Sequence, residues 1–184
     1  INNNESYYLS NLLVILVINN SKDENNDIIR FNRRTHKRII KQQYNYEHII
    51  IDCYSKKKAL DKKYSGVGYA RKIGMDFCLE YGNQDSLLSC MDADTLIDKK
   101  YFSTISRAFK NKLFQACTLN FSHQQTNDND LKEAIMKYEY ELKLIASSIK
   151  YSGSPYGYIS MGSTIVCTIK AYIAIGGMSK KNAT

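Results

Sequence analysis

The 184 residues include one proline and nine glycines, no C-x-x-C pair and no apolar run long enough to span a bilayer. The longest such run, Leu12–Ile18, falls far short of the roughly 18–20 residues a spanning helix requires. No basic segment or small-residue cleavage site frames it as a signal peptide. Disorder is excluded by a hydrophobic content of 43%. Five cysteines, an odd number and widely spaced (Cys53, Cys78, Cys90, Cys117, Cys167), exclude a disulfide scaffold and a structural zinc site. They read as buried reduced thiols and lead to the expectation of a cytoplasmic protein. His36, His48 and His123 are isolated and form no metal motif. G-x-G-x-x-G, the P-loop, the Gly-x-Ser-x-Gly elbow and a Cys/His pairing are also absent.

What remains is a chain of ordinary single-domain size, expected to fold as one domain over residues 1–184. It opens on Ile1 rather than Met, which leads to the expectation of a piece of something longer. Charge is one-sided: 26 Lys+Arg against 18 Asp+Glu give +8. The cations cluster at Arg33-Arg34, Lys37-Arg38, Lys56-Lys57-Lys58, Lys62-Lys63 and Lys99-Lys100. No aromatic-interleaved RNA-binding signature accompanies them, so they read as solvated faces and no nucleic-acid partner is expected.

Apolar periodicity divides the chain into alternating elements. Leu12–Ile18 and His48–Cys53 read as strands buried on both faces. Between them, Ile28 to Lys41 is a basic helical candidate. A helix opens at Gly66-Val67-Gly68, a third strand covers Leu87–Met91, and Tyr101, Ile105, Ala108 and Phe109 mark the next helix. Leu113–Phe121 reads as a fourth strand, and Leu131 to Ile149 as the strongest helical stripe. Ser163–Thr168 reads as a fifth strand and Ile169–Ile175 as a short helix stopped by Gly176-Gly177. This alternation implies an α/β fold with a mostly parallel central sheet flanked by helices. Ligands of such sheets bind beyond the carboxyl ends of the strands, where Asn19-Asn20, Asp52 and Asp92-Ala93-Asp94 are expected to converge.

Asp92 and Asp94 are two apart, so extended backbone would project both carboxylates to one side. Such a pair suits a hard cation, Mg²⁺ or Mn²⁺, bridging two phosphates. Glycines ahead of a helix, here Gly66 and Gly68, let backbone N–H groups approach phosphate, with Arg71 or Lys72 nearby. Asp52 reads equally as a ligand contact or as a loop cap.

In order, Leu13–Ser21 (LVILVINNS), Gly66–Gly74 (GVGYARKIG), Met91–Asp98 (MDADTLID) and Gly162–Met178 (GSTIVCTIKAYIAIGGM) resemble the family-2 glycosyltransferases of GT-A fold. The resemblance spans most of the chain. It implies inverting transfer of a sugar from a nucleotide-diphosphate donor to the hydroxyl of a saccharide or lipid-linked acceptor, assisted by Mg²⁺ or Mn²⁺. Asp92 and Asp94 would hold the metal, Asp94 the more direct ligand. Asn19, Asn20, Asp52, Gly68, Arg71 and Asp92 would face the donor. Asn19-Asn20 stand where the family usually has an acidic residue against the base, which leaves the base open. The family begins with a strand running into the nucleotide pocket, and only about ten residues precede Leu12. Its general base follows the Gly-Gly turn, and the sequence ends at Asn182-Ala183-Thr184. A catalytic domain truncated at both ends, with its base beyond Thr184, is therefore expected, as is peripheral association with the inner face of a membrane. A sugar-phosphate nucleotidyltransferase is the enzyme alternative, although it should carry a glycine-rich loop with Arg and Lys near its start. A non-catalytic basic binding module is the alternative from another class.

Overall fold

The structure, a computed structural model, describes residues 1–110, 114–124 and 126–179. It is an α/β fold. A short helix α1 (Ser6–Leu9) precedes strand β1 (Leu13–Asn19), helix α2 (Asn26–Lys41) and strand β2 (Glu47–Cys53). Then follow α3 (Val67–Cys78), β3 (Leu87–Ser89), α4 (Tyr101–Lys110), β4 (Ala116–Thr118), α5 (Asn129–Tyr151), β5 (Ile165–Thr168) and α6 (Ile169–Ala174). Residues 111–113, where the expected fourth strand begins, lie outside the described residues, as do 180–184.

The helix starts follow from local chemistry. Asn25 accepts the Asp27 N–H at 2.9 Å, Asp128 that of Leu131 at 3.1 Å, and Thr168 that of Ala171 at 3.1 Å. Each satisfies a first-turn donor that has no partner within its own helix. Asp27 at the start of α2 and Arg38 and Lys41 at its end also complement the helix dipole.

The sheet differs from the expected one. Among the strands of the described residues only β1 and β2 pair in parallel, while β5 lies between β3 and β4 and runs antiparallel to both. Apolarity on both faces does not report which way a neighbour runs, and the runs Leu12–Ile18 and His48–Cys53, expected to be buried on both faces, are only half-buried apart from Cys53. Direction was set here by the long excursion through α5, which returns the chain to insert β5 from the opposite end. Among the described residues β1 and β3 share no ladder, so each keeps one unpaired edge.

What joins the two sheets is α3. Its Gly74 packs on β1, where an added Cβ would lie 3.3 Å from Val17 Cγ2. The next residue, Met75, enters the core of the other sheet with Leu88, Cys90, Cys167, Ile169 and Tyr172. A second cluster, Ile105, Phe109 and the fully buried Val166, fixes α4 on the opposite face of β5. The N-terminal segment is clamped to the start of α4 by Asn4, which donates to the Asp98 carbonyl at 3.3 Å and accepts from the Phe102 N–H at 3.4 Å. Among the described residues no helix is long and apolar enough to cross a membrane.

Ile169, at the start of α6, packs with Met75, Leu88, Cys90, Cys167 and Tyr172 on one face of the β3–β5 sheet at 3% exposure. Truncation to Ala should cost about 3 kcal/mol, read as a lower urea midpoint with an unchanged slope. A loss too small to measure would contradict this core.

Candidate functional site

The paired register of β1 and β2, Leu13 beside Glu47 through Asn19 beside Cys53, ends both strands on the same side. A cleft of about 1090 Å³ opens between the free edges of β1 and β3. At its polar end stand Asn19, Val67, Arg71, Asp92, Ala93 and Thr95. Asn19 Nδ2 donates to the Ser65 carbonyl at 2.7 Å, which ties the tip of β1 to the residue just before Gly66, the N-cap of α3. Gly68 lies in the first turn of that helix, whose leading N–H groups have no acceptor within the helix.

Arg71, one turn further, reaches across the cleft. Its Nη2 lies 2.5 Å from Asp92 Oδ1, the shortest ion pair of this region, with the arginine mostly buried and the carboxylate partly open. Gly162 presses its backbone onto the guanidinium: a Cβ there would collide with Nη1. Arg71 Nε is buried without a hydrogen-bond partner. Lys72, the other cation expected near phosphate, is instead paired with Asp76 of its own helix at 2.9 Å.

The Asp92-Ala93-Asp94 segment is not extended. The Thr95 N–H bonds back to the Asp92 carbonyl at 3.0 Å and closes a turn, so the two carboxylates do not share a side by strand alternation. Asp94 is exposed, and its backbone carbonyl accepts from Gln124 Nε2 at 3.1 Å. Among the described residues no group of three or more His, Cys, Asp or Glu stands together as a metal cage. Asp92 and Asp94 therefore suit only a cation that takes most of its six or so oxygen ligands from water or from a bound phosphate.

Two of the expected donor contacts have other employment. Asn20 is buried, donates to the carbonyls of Ser21 (2.8 Å) and Tyr54 (3.3 Å), and accepts from Asn32 Nδ2 at 2.9 Å. It fastens the end of β1 to the chain leaving β2 and to α2. Asp52 caps its loop, with Oδ1 accepting the N–H groups of Tyr54 (3.0 Å) and Ser55 (2.9 Å). Of the two roles the sequence leaves even for Asp52, the cap is the one these bonds show. Burial would raise the Asp52 pKa, but those N–H groups and the nearby Lys58 outweigh it and hold the carboxyl below its ordinary value. The cysteines are core thiols: burial pushes Cys90 up to about 11, and its Sγ packs against Met75 Sδ at 3.2 Å. Such a thiol is not a nucleophile at neutral pH.

Sequence reasoning missed the closure of Arg71 onto Asp92 and the part played by Gly162. It also missed the bolt beneath them: the Tyr172 hydroxyl donates to Asp76 of α3 at 2.7 Å and accepts the Met178 N–H at 3.2 Å. That bolt fixes the Gly176-Gly177 turn, whose φ of 76° and 75° suits glycine. At Gly177 a Cβ would also crowd the Tyr172 ring at 3.2 Å. The signal available in sequence was the pair of glycines, since two in succession after a short helix require left-handed backbone.

Comparison with protein-family models, with curated proteins and with solved structures finds no match to this chain.

The Asp52 cap has a definite pH signature. A carboxyl with a depressed folded pKa contributes stability above its unfolded value near 4 and loses it as pH falls through the folded value. Asp52→Asn keeps an acceptor but no charge. It should lower stability at neutral pH by about 1 kcal/mol, with the difference shrinking as pH falls from neutral through the depressed folded value of Asp52. Parallel wild-type and variant denaturation curves across that range check this, and a pH-independent difference would contradict it.

Proposed function

We propose that this chain binds a nucleotide-diphosphate sugar at the polar end of the cleft and transfers the sugar, with inversion, to an acceptor hydroxyl. The observation that carries the reading is the Arg71–Asp92 pair at the mouth. One cation, one partly open carboxylate and the start of α3 meet beyond the ends of β1 and β3, with the exposed Asp94 two residues further along the same turn. The GT-A resemblance assigns the same positions to the donor, and the parallel β1–β2 unit with α3 behind it is consistent with that fold. The antiparallel β3–β5–β4 unit makes the sheet mixed rather than mostly parallel.

In this reading the donor diphosphate enters between the first turn of α3 and the Asp92–Thr95 turn. Backbone N–H groups at Val67 and Gly68 face its oxygens, and the helix dipole favours their charge. Arg71 turns from Asp92 toward the diphosphate, which gives its orphaned Nε a partner and leaves Asp92 free. Asp94, with the released Asp92, would hold Mg²⁺ or Mn²⁺, which when bound neutralises charge on the departing diphosphate. Asn19 stands beside Ser65 at the tip of β1, where its amide meets the nucleoside end of the donor. The acceptor, a saccharide or a lipid-linked hydroxyl, approaches from the open side, where a carboxylate must take its proton. The turn after which the resemblance has that base follow is fixed to α3 through Tyr172.

Mn²⁺ together with a nucleoside diphosphate should raise the melting temperature of the wild type by several degrees, as expected when binding exceeds Kd about a hundredfold. UDP and GDP are tested in parallel because Asn19 does not dictate the base. Asp94→Ala should abolish the shift while leaving the melting temperature of the free protein unchanged. No shift in the wild type, or an equal one in Asp94→Ala, would contradict the site.

A further inference from the structure

Most of the chain's excess charge sits on one helix. α2 has six Lys/Arg against one Asp, a net +5 within a chain of +8. The six, Arg30, Arg33, Arg34, Lys37, Arg38 and Lys41, recur at i, i+3, i+4, i+7, i+8 and i+11, so they form one continuous face. All six are exposed, and among the described residues only Arg30 stands within ion-pair distance of a carboxylate, Asp27 at 3.7 Å. The opposite face, Ile29, Asn32, Thr35, His36 and Ile39, is half-buried. Asn32 donates to the Asn19 carbonyl at 3.3 Å and to Asn20 Oδ1 at 2.9 Å, and His36 Nδ1 lies 3.0 Å from the Tyr54 hydroxyl. The helix cannot roll, so the cationic face points permanently to solvent. Apolar side chains flank it on both sides, Phe31 at 68% exposure and Ile40 at 65%.

We propose that this face of α2 is a docking surface for an anionic lipid bilayer, and that it is independent of the reaction assigned to the cleft. The stripe from Arg30 to Lys41 is straight and about 16 Å long, so all six charges meet a plane at once. Each cation held at an anionic membrane surface raises binding roughly fivefold. Phe31 and Ile40, unfavourable in water, enter the headgroup region on either side of the stripe. A nucleic-acid backbone would take up the cations but leave those two apolar side chains without a partner, and no stacking aromatic lies within the stripe. A lipid surface satisfies both features.

The test is co-sedimentation of the whole chain with vesicles of phosphatidylcholine alone and with about 30 mol % phosphatidylserine added, at about 0.1 M salt. The expected result is binding to the anionic vesicles only, weakening as salt rises. Arg33→Ala/Arg34→Ala/Lys37→Ala should bind about 100-fold more weakly. Phe31→Ser should bind several-fold more weakly, although its charge is unchanged. Lys56→Ala/Lys57→Ala/Lys58→Ala removes the same charge elsewhere and should bind within about fivefold of wild type. Circular dichroism confirms that each variant is folded, and the substituted residues of α2 are exposed, so folding does not depend on them. Equal loss in the Lys56–Lys58 variant, or no loss in the α2 variant, would overturn the proposal. So would tighter binding to a nucleic-acid duplex than to the anionic vesicles, or indifference to Phe31→Ser.

Discussion

The ion pair between Arg71 and Asp92 is the constraint on which the site depends. The two sheets share no backbone ladder, and their strands end on opposite sides of an open cleft. α3 spans the gap with apolar packing below, Gly74 toward β1 and Met75 toward β3 and β5, and with Arg71 above. The pair at 2.5 Å ties the start of α3 to the end of β3, and Gly162 holds the guanidinium in place because it has no side chain. A carboxylate only partly exposed and paired with a mostly buried arginine keeps more of its Coulomb energy than a surface pair would. It also leaves one arginine N–H, at Nε, unsatisfied, a cost of about 1–3 kcal/mol.

That arrangement gives the cleft a polar end and an apolar body. Below the mouth, β1 and β3 line the cleft with Ile15, Val17, Leu87 and Leu88, while Arg71 and Asp92 stand at the mouth and Asp85 at the far end of β3. Elsewhere the polar residues near the mouth are structural. Asn20, Asn32 and Asp52 together lock the exits of β1 and β2, so that Asn19 and the start of α3 are held at a fixed separation. Site and scaffold therefore meet within neighbouring residues: Asn19 faces the cleft while Asn20 is buried behind it.

Much of this was legible in the sequence. The runs Leu12–Ile18 and His48–Cys53 formed strands, and the helix after Gly66 and the stripe from Leu131 to Ile149 formed where periodicity places them, although the stripe on α5 is largely exposed. Strand direction was not legible. The same Val- and Ile-rich pattern serves parallel and antiparallel neighbours, and the placement of β5 depends on contacts more than seventy residues apart along the chain. The short helix Ser6–Leu9 was too brief for a periodic signal. At the site, residue type alone marked Asp92, Asp94 and Arg71 as candidates. It did not reveal that Arg71 closes on Asp92, that the Asp92–Thr95 segment turns, that Asn20 is buried, or that Asp52 caps its own loop. The Asp52 cap and the Asp92–Thr95 turn are local, but the roles of Arg71, Asn19 and Asn20 depend on partners further along the chain, Gly162, Ser65 and Asn32 among them.

The central claim is that the Arg71–Asp92 mouth opens to take a metal-bound diphosphate. Its most direct test is calorimetric titration of a nucleoside diphosphate into wild type and Arg71→Met, each with Mn²⁺ and with chelator. The expected result is binding to the wild type that requires Mn²⁺ and weakens by at least about tenfold in Arg71→Met, in line with loss of a charge-assisted contact. Equal affinity with and without Mn²⁺, or an affinity untouched by Arg71→Met, would contradict it.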